Sequence, residues 1–274
     1  MSIALAPRPA NEARRAQAAV RTGLVANPKP ELFQIYCDLA KDLTGFDSAT
    51  FSLFDGEMQC GIAATGKDGF VSGNKGMRDV NNICSYVLLN SDPLLMPDLR
   101  EDPHWKNHPK ILDGSAVWIG YAGFPVINRD NYALGTLCML HKSPRAIAGE
   151  MVPLIEKITK NIAFLLDLQT EQKQLTSAKM LDALQAFQQH YPELDIHDFK
   201  YFLSVSAELS AESVHLEGLM AKGLVELAHG QLQLTDAGRN LQEEMKIQPR
   251  PLNRLMVTGQ DGASMLDNML SELN

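Results

Sequence analysis

Residues 120–140 read Gly120-Tyr121-Ala122-Gly123-Phe124-Pro125-Val126-Ile127-Asn128-Arg129-Asp130-Asn131-Tyr132-Ala133-Leu134-Gly135-Thr136-Leu137-Cys138-Met139-Leu140. Two apolar segments, Ala116–Ile127 and Ala133–Leu140, flank the polar run Asn128-Arg129-Asp130-Asn131. Apolar segments of strand length on either side of turn-forming residues predict a β-hairpin. Upstream, Ala49–Phe54 and Met58–Ala63 flank Asp55-Gly56. This predicts a second hairpin, with a type I′ turn.

Helical periodicity encloses these strands. Ala13, Ala16, Val20 and Leu24 are spaced as the apolar face of a first helix over 11–25. Leu32, Phe33, Ile35, Tyr36, Leu39, Ala40 and Leu43 predict a second helix, which Gly45 stops. A third helix starts near Gly149 and carries Met151, Leu154, Ile155, Ile158, Ile162, Leu165 and Leu166 in one stripe. Between them lie a glycine-rich loop over 66–79, a short helix over Asn82–Leu89 and a short strand at Leu94–Met96. A turn-rich stretch follows from Asp98 to Pro109. Helices flanking an antiparallel sheet make an α+β sandwich.

Composition narrows the function classes. The 274 residues are 45% hydrophobic and 21% charged, as in soluble globular chains. No apolar run approaches the ~18 residues of a membrane span. The N-terminal apolar stretch is interrupted at Pro7, which argues against a signal-peptide core; its arginines leave a transit peptide as the alternative. Cys37, Cys60, Cys84 and Cys138 have neither CxxC nor zinc-ligand spacing. A reduced, cytoplasmic protein is the expectation. GxSxG, P-loop, HExxH and GxGxxG motifs are absent, so nothing in the sequence demands an enzyme.

The net charge of −8 is unevenly spread. Residues 1–168 carry 17 basic and 18 acidic side chains, whereas residues 192–248 carry four basic against ten acidic. The charge excess therefore sits in one C-terminal segment.

Three motifs bear a family resemblance. Met96-Pro97-Asp98-Leu99-Arg100-Glu101-Asp102-Pro103-His104-Trp105, Gly120–Val126, and Leu134–Leu140 with Pro144-Arg145 after it resemble, in order and spacing, the signatures of the GAF family of small-molecule sensor domains. The likeness covers roughly residues 25–168. It implies the fold but not the ligand, because the family binds cyclic nucleotides, tetrapyrroles, haem, other metabolites or nothing. The bilin-binding subset uses a Cys-His pair, whereas Cys84 is followed by Ser85. A methionine-sulfoxide reductase subset uses several cysteines around the pocket, which Cys60, Cys84 and Cys138 could imitate. The cofactor is unknown at this stage. Candidate pocket residues are Phe51, Cys84, Trp118, Tyr121, Gly123 and Cys138. Asp98, Asp102, His104 and His108 look like an acid/base cluster, but aspartates beside Leu and Pro ordinarily cap turns.

Farther on, Ile196–Leu209 reads as a helix, Ser210–Lys222 as a second one, and Leu224–Leu234 as a hairpin with a turn at Ala228–Gln231. Thr235 then caps a last helix. "LMAKGLVEL…GQLQLTDAGR" is similar to the winged-helix pattern of bacterial transcription regulators. In such a domain Ser210–Lys222 would read the DNA groove, with Lys222 and Arg239 as the nucleic-acid candidates. A duplex reader needs several cations to displace phosphate counterions. The acidic segment lacks them, so protein contact is favoured over DNA.

The resulting expectation is an N-terminal helix (1–27), a GAF-like sensor (28–168), a helical linker (169–191), a winged-helix-like domain (192–248), and a tail (249–274). The linker carries Leu175, Leu181, Leu184 and Phe187 near helical spacing, and the tail carries a Met/Leu stripe over 264–273. This describes a bacterial regulator, expected to be a homodimer with a protein partner and no membrane association. The competing readings are a DNA-binding transcription factor, a thiol reductase and a pocketless dimer scaffold.

Overall fold

The computed structural model describes residues 5–66, 72–79, 81–207, 216–228 and 230–247. The chain divides into two units between Gln174 and Leu175.

In the first unit, strands β1 (Ser48–Phe54), β2 (Met58–Thr65), β3 (Lys75–Met77), β4 (Leu94–Met96), β5 (Gly120–Ile127) and β6 (Ala133–His141) form one antiparallel sheet, in the order β3-β2-β1-β6-β5-β4. Both expected hairpins are present. β5 and β6 pair Tyr121 with Leu140 and Gly123 with Cys138. The first turn differs from expectation: it is a three-residue loop in which the Asp55 carboxylate accepts from the Glu57 and Met58 backbone N–H groups. Gly56 has no positive φ, so the turn is not type I′. Part of the expected loop over 66–79 is also regular. Lys75–Met77 pairs with β2 as the edge strand, while residues 67–71 lie outside the described residues.

Strand alternation gives the sheet two buried faces. One face presents Phe51, Leu53, Ile62, Ala122, Phe124, Val126, Leu137 and Met139 to the helices α1 (Glu12–Arg21), α2 (Gln34–Thr44) and α5 (Val152–His190). The helices contribute Ala19, Phe33, Cys37, Ala40, Ile155, Ile158, Ile162 and Leu166 to that core. The other face presents Phe54, Tyr121 and Cys138 to the short helix α3 (Cys84–Val87) and to the segment holding Met96, Leu99 and Trp105.

α1 does not bury the face that its alanines suggest. Arg15 and Ala19 are buried while Ala13 and Val20 are exposed, and Leu24 joins the core beyond the helix end. The guanidinium of Arg15 determines the docking. It donates to the carbonyls of Phe54 and Asp55 at 2.9 Å and of Ala133 at 3.3 Å, satisfying acceptors where β1 ends and β6 begins. Glu12 balances the charge, pairing with both Arg15 and the buried Arg78. In α2, likewise, Phe33 just ahead of the helix, Cys37 and Ala40 are buried, whereas Ile35, Leu39 and Leu43 face solvent.

The second unit packs the final turns of α5, through Ala183 and Phe187, with α6 (Ile196–Ser206), α7 (Glu217–Ala221), the hairpin β7 (Val225–Ala228) and β8 (Gln231–Leu234), and α8 (Asp236–Glu244). Along the linker part of α5, Leu175 and Leu181 are exposed, while Leu184 is partly buried. Asp195 caps α6 in a capping box with Asp198, and the Thr235 hydroxyl caps α8 by accepting from the Gly238 N–H at 3.1 Å. Of the helix expected over Ser210–Lys222, only the end is described. Ser210 and the tail stripe over 264–273 lie outside the described residues. Among the described residues no helix is long and apolar enough to cross a membrane.

Candidate functional site

A cavity of about 710 Å³ opens on the Tyr121 face of the sheet. Its size falls within the range of small-molecule sites. Apolar surface comes from Ile83, Leu99, Trp105, Ile111 and Trp118, and from Tyr121 and Leu140 on the sheet. Polar groups at the wall come from Asn81, His108, Lys110, Ser115 and Lys142. Among the described residues, two lysines and no carboxylate line the cavity. The Lys142 ammonium sits 6.0 Å from the centre of the Trp118 ring, at the outer limit of a cation–π contact.

The stretch 102–112 builds one wall. The Asp102 carboxylate accepts from the His104 and Trp105 N–H groups at 2.9 Å, holding the turn that buries Trp105. Asp98 pairs with Arg100. Both aspartates thus have structural roles, as turn chemistry suggested. His108 Nδ1 accepts from the Lys110 N–H, which leaves Nε2 as the donor to the Asn81 side-chain oxygen at 2.9 Å. Burial, and then the Lys110 charge, hold the His108 pKa below its ordinary value, so the ring is neutral near pH 7. Tyr86 Oη lies 2.9 Å from His104 Nε2, and their rings pack edge-on with Trp105. Among the described residues no three His, Cys, Asp or Glu side chains gather as a metal site.

Beneath the cavity, Tyr121 leads to a buried sulfur pair. Its hydroxyl donates to Cys84 Sγ at 3.2 Å and lies 3.1 Å from Cys138 Sγ. The two sulfurs are 3.0 Å apart. The Thr136 hydroxyl oxygen lies 3.1 Å from Cys138 Sγ. The Cys138 thiol beside it, with Tyr121 adding a second hydrogen bond, holds Cys84 below the usual thiol range despite its burial. Burial pushes Cys138 and Tyr121 well up.

Of the six expected pocket residues, two line the cavity and three lie behind it. Trp118 and Tyr121 line the cavity, Cys84 and Cys138 lie behind Tyr121, and Gly123 lies beneath the tyrosine ring. Gly123 makes room for Tyr121 rather than for a ligand: a Cβ there would stand 2.4 Å from the Tyr121 hydroxyl oxygen. Phe51 is misplaced in the sequence reading. It points to the opposite face and packs on Phe33 with ring centres 5.0 Å apart, because its neighbours Thr50 and Ser52 take the cavity side of the strand. Lys110, Lys142 and Asn81 were not legible as site residues. Lys110 sits in the one-turn helix α4 (Pro109–Leu112), Asn81 in a loop and Lys142 just past the end of β6, segments too short for periodicity to mark orientation. Cys60 belongs to the helix-facing core, apart from the sulfur pair.

The fold is of the α+β class, an antiparallel six-stranded sheet with flanking helices. The GAF domain family matches residues 29–166, and the chain belongs to that family, a family of signalling sensors. It is 23% identical over 159 residues to cyclic di-GMP phosphodiesterase PA2567 of Pseudomonas aeruginosa, covering 58% of this chain and 26% of that protein. The chain thus spans about a quarter of the length of this curated relative. Similar solved structures include the blue-light absorbing form of the PixJ GAF domain of Thermosynechococcus elongatus, at 13% identity and TM-score 0.43, covering 62% of this chain and 95% of that one. The type II free methionine-R-sulfoxide reductase of Thermoplasma acidophilum is similar at 18% identity and TM-score 0.39, covering 53% and 94%.

Proposed function

We propose that the GAF domain binds a small planar molecule carrying at least one anionic group, and that the C-terminal unit, a winged-helix-like module, passes the bound state to a protein partner. The observation that carries the first part is the cavity wall: Trp105 and Trp118 offer aromatic surface, and Lys110 and Lys142 offer positive charge. Planar rings stack on indole, and a buried anion requires a cation within reach. Signalling requires unequal affinity for two packings of α5, since a ligand that binds both equally shifts nothing.

Charge supports protein contact over DNA. Lys222 is paired with Glu193, and Arg239 is paired with Asp236 at 2.6 Å while donating to the Leu234 carbonyl. Both candidate phosphate contacts are already held by this chain's own acceptors. A homodimer is consistent with the exposed side chains of Phe164 and Leu168, one turn apart on α5.

Titration of the full chain with aromatic monocarboxylates and their neutral amides, followed by tryptophan fluorescence, tests the ligand class. The acids are expected to bind and the amides to bind at least tenfold more weakly. Trp118→Ala is expected to weaken the acids about tenfold, the scale of one lost aromatic contact. Equal binding of acids and amides would overturn the assignment. Salt-steep DNA binding in a low-salt gel shift would overturn the protein-contact reading.

A further inference from the structure

We infer that Cys84 and Cys138 are a redox-active dithiol that a hydroperoxide closes into an intramolecular disulfide. Their sulfurs lie 3.0 Å apart, about 1 Å longer than a disulfide bond. Helix α3 presents Cys84 at its first position, and β6 presents Cys138 directly opposite Gly123, whose missing side chain leaves the space the Tyr121 hydroxyl occupies. That hydroxyl hydrogen-bonds to Cys84 Sγ and lies within hydrogen-bond distance of Cys138 Sγ.

The other two cysteines show what an inert thiol looks like here. Cys37 is buried in the helix-facing core, where its thiol donates to the Ala63 carbonyl at 3.4 Å and burial pushes its pKa up to about 12. Cys60 shares that core, and burial raises its thiol too. Cys84 moves in the opposite direction, because its sulfur is surrounded by donors. The pair lies directly behind the cavity wall: Ile83, next in the chain to Cys84, and Tyr121, its hydrogen-bond donor, both line the cavity.

The chemistry balances with one peroxide. The Cys84 thiolate attacks the O–O bond and becomes a sulfenic acid, releasing hydroxide, which takes up the proton that Cys84 lost. The Cys138 sulfur then attacks the sulfenic sulfur, the S–S bond forms, and the departing hydroxyl leaves as water with the Cys138 proton. Two thiols and one hydroperoxide (hydrogen peroxide in the test below) give one disulfide and two waters, with two electrons passing from sulfur to oxygen. Closure ties α3 to β6 and removes the thiol proton that Cys138 shares with its neighbours. The Thr50 hydroxyl, paired in register with Cys138, is buried with no hydrogen-bond partner among the described residues, which adds a polar group on this face of the sheet.

The test is hydrogen peroxide treatment of the reduced full chain under native conditions, followed by thiol counting, intact mass and peptide mapping. The expected result is loss of two of the four thiols and of two hydrogen atoms in mass, one cross-linked Cys84–Cys138 peptide within a single chain, and full reversal by dithiothreitol. The wild-type peptide map requires no variant to fold; Cys84→Ser is expected to keep its remaining thiols reduced under the same dose. The inference is overturned if four thiols persist while methionines become sulfoxides, if the cross-link joins other cysteines or two chains, or if Cys84 over-oxidises without cross-linking.

Discussion

Gly123 lies directly beneath Tyr121: a Cβ on the glycine would stand 2.4 Å from the tyrosine hydroxyl oxygen and 2.6 Å from Val87 Cγ2. The residue two positions back along β5 therefore leans over a gap that only glycine leaves, and in doing so reaches both sulfurs. Gly123→Ala is expected to displace the Tyr121 ring and destabilise the first unit by roughly 2 kcal/mol, the scale of overpacking. Urea unfolding and near-UV circular dichroism check it. Unchanged stability with an unchanged aromatic spectrum would mean that the ring does not need this gap.

Glu12 balances two buried arginines from the edge of the sheet. Burial raises its pKa, but the hydrogen bonds and charges of Arg15 and Arg78 outweigh burial and hold the carboxyl below its ordinary value of 4.5. Its stabilisation is therefore fully present above that value and is lost as pH falls through the lower folded-state value. Glu12→Gln leaves Arg15 and Arg78 without their counter-charge and is expected to cost roughly 3 kcal/mol at neutral pH. Below pH 4.5 the gap between wild type and variant should narrow. A gap independent of pH, measured by urea midpoints, would count against the charge argument.

Gly135 permits the close approach of β6 to β1. A Cβ there would lie 2.0 Å from the Ser52 carbonyl oxygen and 3.0 Å from Leu53 Cα, both backbone atoms that cannot rotate away. Gly135→Ala is expected to cost roughly 3 kcal/mol. Amide exchange should rise along the β1–β6 ladder before it rises in β2. Uniform protection across the sheet in the variant would contradict this.

Phe187 anchors the second core, fully buried against Phe199 and Phe202 with ring centres 5.4 and 5.7 Å away. Phe187→Ala is expected to destabilise that core by roughly 3–5 kcal/mol. The chain has two tryptophans, Trp105 and Trp118, both in the first unit, so fluorescence reports that unit alone. The fluorescence midpoint is expected to stay fixed while the far-ultraviolet signal gains an earlier transition. A matching shift in fluorescence would show that the two cores melt together.

Local pattern made most of the fold legible. The apolar segments on either side of the polar run Asn128–Asn131 specified the β5–β6 hairpin, and the Ile155, Ile158 and Ile162 spacing specified which side of α5 packs. Thr235 marked the start of the last helix. Patterns failed where long-range polar contacts outweighed local preference. Arg15 is the clearest case, because three backbone carbonyls distant in sequence reward its burial more than the solvent-exposed Val20 would have.

The candidate site was legible only in part for the same reason. Tyr121, Cys138 and Cys84 could be chosen from motif position, but that their three polar atoms meet depends on β6 lying beside β5 and on α3 crossing that face. Phe51 was misassigned because membership of a strand does not reveal which of its two buried faces holds the cavity.

By itself, the sequence determined the strand and helix periods, the family, and the acidic character of the C-terminal segment, since these are properties of neighbours along the chain. Tertiary structure alone decided that Lys110 and Lys142 share a cavity with two tryptophans, and that Cys84 and Cys138, far apart in sequence, sit with their sulfurs 3.0 Å apart. Those juxtapositions are set by how the sheet pairs and which face each element covers, a global balance of burial and hydrogen bonding that no short window contains.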